Sequence, residues 1–235
     1  MSWLLRLLGK TKPALTPQQA LRLAAWQTLP ASDPNAIFEL SRYVVIDVET
    51  TGLNLLKDTL ISIGAVGVVN GRIALGDSFS VVLQQRESSH KDNILIHGIS
   101  GTTQRAGEDP VEALLTFLEY LGKAPLVAFH VAFDESMIRR AMRQYLGFTF
   151  SHPWLDLAYV LPALNTRMMH SHRSLDDWAE HFDIRNTERH NAVADALATA
   201  HLMLIAMHQV RDIRSPSYDA MRYIERTFHN AKQSR

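Results

Sequence analysis

The stretch VVIDVETTGL, residues 44–53, places two carboxylates at the end of an apolar run. Tyr43–Val48 has the apolar, β-branched character of a buried strand, and Thr51-Gly52 predicts its end. Side chains alternate along a strand, so Asp47 and Glu49 point to the same side. Such like charges repel unless a proton or a cation lies between them, and a hard divalent ion with oxygen ligands is a natural partner. At this point the alternative remains open that both carboxylates simply reach solvent.

The composition limits the classes of protein to consider. With 235 residues, of which 46% are hydrophobic, the chain can bury a real core. Its 24 basic residues balance 24 acidic residues, so no global positive field indicates a nucleic-acid partner, which would need local patches or metal ions. The absence of cysteine excludes disulfide scaffolds, thiolate zinc sites and cysteine nucleophiles, and it fits the cytoplasm. The N-terminal MSWLLRLLGK is too short for a membrane span, so we expect a soluble protein.

A helix is predicted near the start of the chain. Thr16 has the character of an N-cap, with Pro17 in the first turn and Gln19 placed to close a capping box, so the helix should run to about Thr28. The next segment, LPASDPNA at residues 29–36, has two prolines among turn-forming residues, which predicts a linker.

The pattern changes to β structure from residue 43. Leu60–Val69 and Arg72–Leu83 predict two further strands, and Asn70-Gly71 between them is a strong hairpin signal. The sheet should therefore begin with an antiparallel meander.

Helices and strands alternate in the rest of the chain. Asp109 and Glu112 predict a helix start with a capping box, Leu126–Phe129 predicts a short buried strand, and Asp134 lies in the first turn of the helix that follows. Arg139, Arg140 and Arg143 of that helix are predicted to form its solvated face. Further helices are predicted at about 156–161, 174–182, 191–208 and 217–230. This order of elements is typical of an α/β fold.

Two more acidic residues lie where a shared site could use them. Asp134 should face inward from its helix, although an acidic residue in a first turn can also serve only as a cap. Asp195 lies in an alanine-rich helix that can approach a sheet closely, and a carboxylate there is costly to bury without a partner. His190 precedes Asp195 by five residues, about 140° around a helix at roughly 100° per residue, so it is better placed on the loop before the helix.

Three motifs together resemble a known family. They are D-x-E-T-T-G-L at 47–53, Phe133-Asp134 at the head of a helix, and H-x-A-x-x-D-A at 190–196. IHGIS at 96–100, Asp156 in WLDLA, and SLDDWAEHFDI at 174–184 accompany them. From about Tyr43 to Met207 the chain resembles the DEDDh group of 3'-to-5' exonucleases, the superfamily that contains the proofreading epsilon subunit of the bacterial replicative polymerase.

The resemblance implies an RNase H-like fold, with a five-stranded mixed sheet of an antiparallel meander plus parallel strands, flanked by helices. It divides the chain into an N-terminal helical extension and linker, residues 1–40, and an exonuclease domain, residues 41–235. Trp3, Leu4, Leu7 and Leu8 of the extension are candidates for docking on a protein partner, on the nuclease domain itself or on membrane lipid.

The resemblance also implies the chemistry. Asp47, Glu49, Asp134 and Asp195 would hold two Mg²⁺ or Mn²⁺ ions, with Asp47 bridging them, at the scissile phosphate. His190 would accept the proton of the attacking water, a role that suits an imidazole at cellular pH. Metal ions, and not the net charge of the protein, would attract the polyanionic substrate.

Substrate contacts are carried over in the same way. Thr50, Thr51 and Leu53 are candidates for gripping the 3'-terminal nucleotide, with Leu53 touching or wedging against a base, and His97 would line the same pocket. A plain turn at Thr51-Gly52 is the alternative. Many relatives have His-Asn shortly before the second motif, where this chain has Phe129-His130, so the contact that the Asn normally makes is in doubt.

The expected substrate is a single-stranded or frayed 3' end of nucleic acid, with DNA favoured over RNA. About forty residues follow Asp195, too few for the polymerase-binding tail of epsilon, so we expect a free-standing nuclease and consider association with a polymerase unlikely. A polymerase-bound proofreading subunit and a catalytically silent nucleic-acid-binding scaffold are the alternatives.

Overall fold

The structure is a computed structural model, and it describes residues 13–186, 188–212 and 216–233. Its strands are β1 Arg42–Thr50, β2 Leu60–Val69, β3 Arg72–Val82, β4 Leu126–Ala128 and β5 Trp154–Asp156. Its α-helices are α1 Pro17–Thr28, α2 Lys91–His97, α3 Gly101–Arg105, α4 Pro110–Leu121, α5 Val131–Ala141, α6 Leu157–Leu164, α7 Leu175–His181, α8 Ala192–Gln209 and α9 Tyr218–Gln233. A 3₁₀ turn, Phe38–Leu40, precedes β1, and a π-helical turn, Met142–Leu146, extends α5.

The strands form one five-stranded sheet in the order β3-β2-β1-β4-β5. β2 pairs antiparallel with β1 and β3, whereas β4 pairs parallel with β1 and β5. Asn70 and Gly71 both adopt positive φ at the hairpin between β2 and β3, as a tight turn of this kind requires. The predicted mixed sheet with its antiparallel meander is confirmed.

The side chains of β1 alternate between two apolar cores. Val44, Ile46 and Val48 belong to the core that α1, α4 and α5 cover. Tyr43 and Val45 belong to the core on the opposite face, which α6, α7, α8 and α9 cover. Because alternation continues along the strand, the side chains of residues 47 and 49 point to the face that α8 covers.

Helix α8 begins in direct contact with the sheet. Gly64 of β2 is the antiparallel partner of Asp47, and a Cβ atom built on it would lie 2.3 Å from the main-chain carbon of Ala192 and the nitrogen of Val193. No side chain fits there. A glycine at this position therefore lets the first turn of α8 lie on the strand backbone, which places Asp195 above the end of β1.

Helix α1 packs on the domain that follows it. The predicted capping box of Thr16 and Gln19 is present, and Leu23 and Trp26 are buried in the core of α4 and α5. The capping box predicted for α4 is absent, because Glu112 accepts hydrogen bonds from Gln19 and Arg22 of α1 instead.

The linker after α1 is held in place. The main-chain N–H of Phe38 donates to the carbonyl oxygen of Pro216, and the main-chain N–H of Asp219 donates to the carbonyl oxygen of Pro34. The division of the chain at residue 40 stays a prediction, and Trp3, Leu4, Leu7 and Leu8 lie outside the described residues. Within the described ranges, no helix has both the length and the apolar character needed to cross a membrane.

Gly64→Ala should disturb α8, because the added methyl group would overlap its first turn. We expect a loss of roughly 1–3 kcal/mol in the free energy of unfolding and weaker binding of Mn²⁺, measured by chemical denaturation and calorimetry. Gly76→Ala is the matched control, since a Cβ atom there would meet nothing within 4 Å. Equal behaviour of the two variants would show that the contact at Gly64 does not position the helix.

Candidate active site

Three carboxylates converge at the end of β1. Asp47 and Glu49 lie on the strand, and Asp195 lies in the first turn of α8. Each residue offers one carboxylate oxygen, and these three oxygens all lie within 4.8 Å of one another. Asp195 is buried and the other two are partly buried. Converging carboxylate oxygens form the type of ligand set that hard divalent cations bind.

Asp134 is buried in the first turn of α5 and is not one of the three residues whose carboxylate oxygens lie within 4.8 Å of one another, but its charge acts on Asp47. This charge raises the pKa of Asp47. The helix start is fixed by Asp156, whose two oxygens accept from the N–H groups of His130 and Val131 at 3.0 and 3.1 Å. Asp156 at the end of β5 therefore positions the helix that carries Asp134.

The cluster is electrostatically unfavourable without a cation. Burial, and then the charges of Asp134, Glu49 and Asp195, raise the pKa of Asp47 well above its ordinary value. Burial and the charge of Asp195 raise the pKa of Glu49 to about 8. Burial raises the pKa of Asp134 to about 8, against the effect of its main-chain hydrogen bonds. These shifts show that the fold holds carboxylates in surroundings that disfavour their charged forms.

Arg189 supplies a positive charge at this cluster. Its guanidinium forms ion pairs with Asp195 of α8 and with Asp176 of α7, and it lowers the pKa values of Asp47 and Glu49. Asn186 also donates to the Asp195 carboxylate, at 2.5 Å. Arg189 is not among the site residues predicted from the sequence, although its position directly before His190 of the third motif could have indicated it.

His190 lies on the loop before α8, as predicted. Its φ of 63° is in the left-handed region, and its main-chain N–H donates to Asp195 at 3.0 Å. The residue is exposed. The bond to Asp195 fixes the main chain of His190 beside the carboxylates, while its imidazole remains open to solvent.

The segment after β1 uses its hydroxyl groups internally. Thr50 donates to the carbonyl of Gly52 at 2.8 Å, and Thr51 donates to Asp58 at 2.9 Å. The side chain of Leu53 is 86% exposed. The two threonines thus shape the loop, and Leu53 is the predicted contact residue that this loop presents to solvent.

His97 is buried at the end of α2. Its Nδ1 accepts from the N–H of Ile99 at 3.0 Å, and its Nε2 lies 3.4 Å from the hydroxyl of Ser89. It also lines a cavity of about 370 Å³ together with Arg189 and His190. His97 therefore lies beside the loop that carries His190, and both of its ring nitrogens are close to polar partners inside the protein.

The unusual Phe129-His130 pair has a defined place. His130 adopts a φ of 67° at the start of α5, and its Nε2 lies 3.1 Å from the carbonyl oxygen of Arg173. The imidazole therefore ties the start of α5 to the loop before α7.

A mixed sheet in this order, with acidic residues gathered at the end of its central strand, defines the RNase H-like class of α/β proteins. A family model described as Exonuclease, of the RNase T type, matches residues 44–203. The chain belongs to this exonuclease family, within the DEDDh-type 3'-to-5' exonuclease superfamily.

The similar proteins include polymerases. The chain is 32% identical over 169 residues to the PolC-type DNA polymerase III of Bacillus subtilis, and 31% identical over 171 residues to that of Caldanaerobacter subterraneus subsp. tengcongensis. These alignments cover 72% and 73% of this chain but only 12% of each relative. The expectation that polymerase association is unlikely is not supported by these relatives, which are themselves polymerases.

Solved structures show the same fold at low sequence identity. Escherichia coli exonuclease I in complex with a dT13 oligonucleotide has a TM-score of 0.61 and 17% identity, over 73% of this chain and 42% of that one. The zinc-bound form of its complex with single-stranded DNA has a TM-score of 0.63 and 18% identity, over 73% and 41%.

The stability of the metal-free protein should depend on pH. Between about 4, where carboxyl groups titrate in unfolded chains, and about 8, the value for Glu49 and Asp134, the folded state binds more protons than the unfolded state. In chelator, the free energy of unfolding should therefore fall as pH rises through this window. Mn²⁺ favours the ionised carboxylates, so it should stabilise the protein more at pH 8 than at pH 5. Thermal unfolding across this range, with chelator or Mn²⁺, tests both trends; a chelated protein that gains stability from these groups as pH rises would contradict them.

Arg189→Met should destabilise the metal-free protein by roughly 1–3 kcal/mol, because Asp195 loses its cation. Added Mn²⁺ should reduce this deficit, since it replaces the missing positive charge. Thermal unfolding at neutral pH with chelator or Mn²⁺ measures both effects, with the exposed Arg185→Met as control. A deficit of the same size in both conditions would mean that Arg189 acts only in packing.

Proposed function

We propose that this protein is a metal-dependent 3'-to-5' exonuclease that releases nucleoside monophosphates from the 3' ends of nucleic acid, with DNA as the preferred polymer. The observation that carries the proposal is the convergence of Asp47, Glu49 and Asp195 within 4.8 Å at the end of β1, with Asp134 buried beside them. The family match over residues 44–203 supports it.

The donor set fits divalent metal ions. The four side chains offer only carboxylate oxygens, and the raised pKa values of Asp47, Glu49 and Asp134 indicate a shortage of positive charge that Arg189 does not remove. Asp47, Glu49, Asp134 and Asp195 would hold two Mg²⁺ or Mn²⁺ ions. Such ions would supply stabilisation of the charge at the scissile phosphate and activation of water for its hydrolysis.

The residues of the chain perform the other roles. His190 would accept the proton of the attacking water, and the bond from its main chain to Asp195 keeps it next to the ligands. Leu53 would contact the terminal base from its exposed position after the strand. Thr50 and Thr51 would shape the pocket of the terminal nucleotide through the loop after β1, and His97 would do so through the cavity that it lines.

DNA is the favoured substrate because of the similar proteins. The relatives are DNA polymerases, and the exonuclease I structures contain single-stranded DNA. A single-stranded or frayed 3' end would present the unpaired terminal nucleotide that a site of this kind requires. A cytoplasmic location stays a prediction from the composition.

Incubation of 3'-labelled and 5'-labelled DNA and RNA, with Mg²⁺, Mn²⁺ or chelator, tests the proposal. Mononucleotides should be released from the 3' label, and the 5' label should remain on progressively shorter strands. Chelator should stop both changes. Binding of the strands without any release would favour the silent scaffold instead.

A second candidate is the proofreading nuclease of a DNA polymerase, which the PolC-type relatives favour. It predicts that the protein co-purifies with a polymerase from its own cells and removes mispaired 3' termini during synthesis. A protein that acts alone, with equal rates on paired and mispaired termini, would support the free-standing nuclease.

Asp47→Asn should abolish release, because it removes one charge from the metal ligands. His190→Ala should reduce kcat about 10²- to 10⁴-fold with little change in Mn²⁺ affinity. Steady-state assays and calorimetry separate these outcomes, and His201→Ala, on the exposed side of α8, is the control. Retention of full activity in His190→Ala would exclude the histidine as the base.

A further inference from the structure

Arg189, on the loop before α8, spans two carboxylates of different burial. Its Nη1 forms an ion pair with Oδ1 of Asp195, and its Nε forms one with Oδ1 of Asp176. Its Nη2 also donates to Oδ2 of Asp176 at 3.2 Å. The side chain of Asp195 is 6% exposed, whereas that of Asp176, in the first turn of α7, is 61% exposed. One guanidinium therefore joins a buried carboxylate of the candidate active site to a carboxylate at the protein surface.

The guanidinium occupies an oxygen of Asp195 that a metal ion would need. Oδ1 of Asp195 contacts Nη1 of Arg189 and also accepts from Nδ2 of Asn186 at 2.5 Å. Oδ2 accepts from the main-chain N–H of His190 at 3.0 Å. A carboxylate oxygen has about two lone-pair sites, so Oδ1 is fully engaged while Arg189 lies on it. A divalent ion at this oxygen would also repel the guanidinium, so the ion can bind there only if Arg189 moves away.

The two contacts of Arg189 differ in how readily they can be exchanged. Among the described residues, Nη1 has no partner with hydrogen-bond geometry, so the attraction of opposite charges holds it at Asp195. Asp176 is held by two nitrogens, through the ion pair of Nε and the hydrogen bond of Nη2. Asp176 also lies closer to water, where a charged guanidinium loses less hydration. We therefore expect a competing cation to break the contact with Asp195 and to leave the contact with Asp176.

The charge of Arg189 reaches the other carboxylates of the site as well. It lowers the pKa values of Asp47 and Glu49, against the burial and the repulsion that raise them. Arg189 thus acts as an internal counter-ion in the metal-free protein. Such a counter-ion also competes with any metal ion at the site, because both are attracted by the same negative charge.

We propose that Arg189 is an exchangeable counter-ion, which leaves Asp195 when a divalent ion binds and is then retained beside the site by Asp176. Arg189 and Asp176 are positioning residues, because they act through Asp195 and do not touch the reacting atoms. The bond from His190 to Oδ2 is not part of the exchange, so the loop that carries His190 keeps this attachment. The inference rests on the proposed metal-dependent function, and it gives α7 a part in setting the metal affinity.

The exchange predicts opposite effects for the two partners. Arg189→Met should bind Mn²⁺ about tenfold more tightly than wild type, since the metal then displaces no charge-assisted contact. Asp176→Asn should bind Mn²⁺ about threefold more weakly, because the displaced guanidinium loses its exposed partner. Calorimetric titration of the full chain measures both affinities, at a pH of about 8, where protons compete less for the carboxylates than at neutral pH.

The double variant separates exchange from a structural role. In Arg189→Met, the further change Asp176→Asn should alter the Mn²⁺ affinity little, because the two residues act through one contact. Arg189→Lys keeps the positive charge and should stay close to wild type. Glu180→Gln removes a charge from an exposed position of α7, and Arg185→Met removes one from the α7–α8 connection. Both control variants should bind Mn²⁺ as wild type does.

NMR spectroscopy can follow Arg189 directly. The ¹H–¹⁵N signal of its Nε–H, identified by its absence in Arg189→Met, should shift when Mg²⁺ is added to wild type. The signal should remain observable, because Asp176 still holds the guanidinium. In Asp176→Asn the same addition should broaden the signal through exchange with water.

Several results would overturn the proposal. Weaker Mn²⁺ binding in Arg189→Met would show that the guanidinium supports the metal site, and equal affinities in wild type and both single variants would exclude an exchange. Additive effects in the double variant would mean that Asp176 acts only as a distant charge. If wild type bound no Mn²⁺, the proposed metal-dependent function itself would fail.

Discussion

The close approach of α8 to the sheet at Gly64 is the contact on which the site depends. Asp47 and Glu49 belong to a strand, whereas Asp195 belongs to a helix that starts about 150 residues later. These carboxylates can share a cation only if the helix backbone touches the strand backbone, and any side chain at residue 64 would hold the two apart. The alanines of α8 serve the same end along the rest of the helix, where they pack into the core on that face of the sheet.

This arrangement concentrates negative charge in buried and partly buried surroundings, and the surrounding structure offsets the repulsion between the carboxylates only in part. Arg189 pairs with Asp195, and the main-chain N–H of His190 donates to Asp195. The pKa values of Asp47 and Glu49 nevertheless remain raised. Under the proposed function, stability and activity would oppose each other here, because the repulsion that weakens the metal-free fold would also favour the binding of cations.

Local signals in the sequence predicted much of the fold. The bounds of β2 and the Asn70-Gly71 hairpin follow from alternation and turn chemistry, and the three motifs give the carboxylates. The short helices α2 and α3 and the strand β5 were not located, because elements of three to seven residues depend on tertiary contacts. The hydrogen-bond partners of Arg140 and the ion-pair partners of Arg189 were also missed. The partners of a long side chain depend on which distant segments lie within its reach, and its neighbours in sequence do not reveal them.

The attachment of α1 has a consequence for how the protein can be shortened or fused. Trp26 stacks on Phe150, its Nε1 donates to the carbonyl of Gly122 at 2.7 Å, and the ammonium of Lys123 lies 3.4 Å from the centre of its ring. A version that starts at β1 would leave this aromatic surface uncovered and available for self-association. The natural unit for recombinant work therefore includes the chain from at least Thr16 onward.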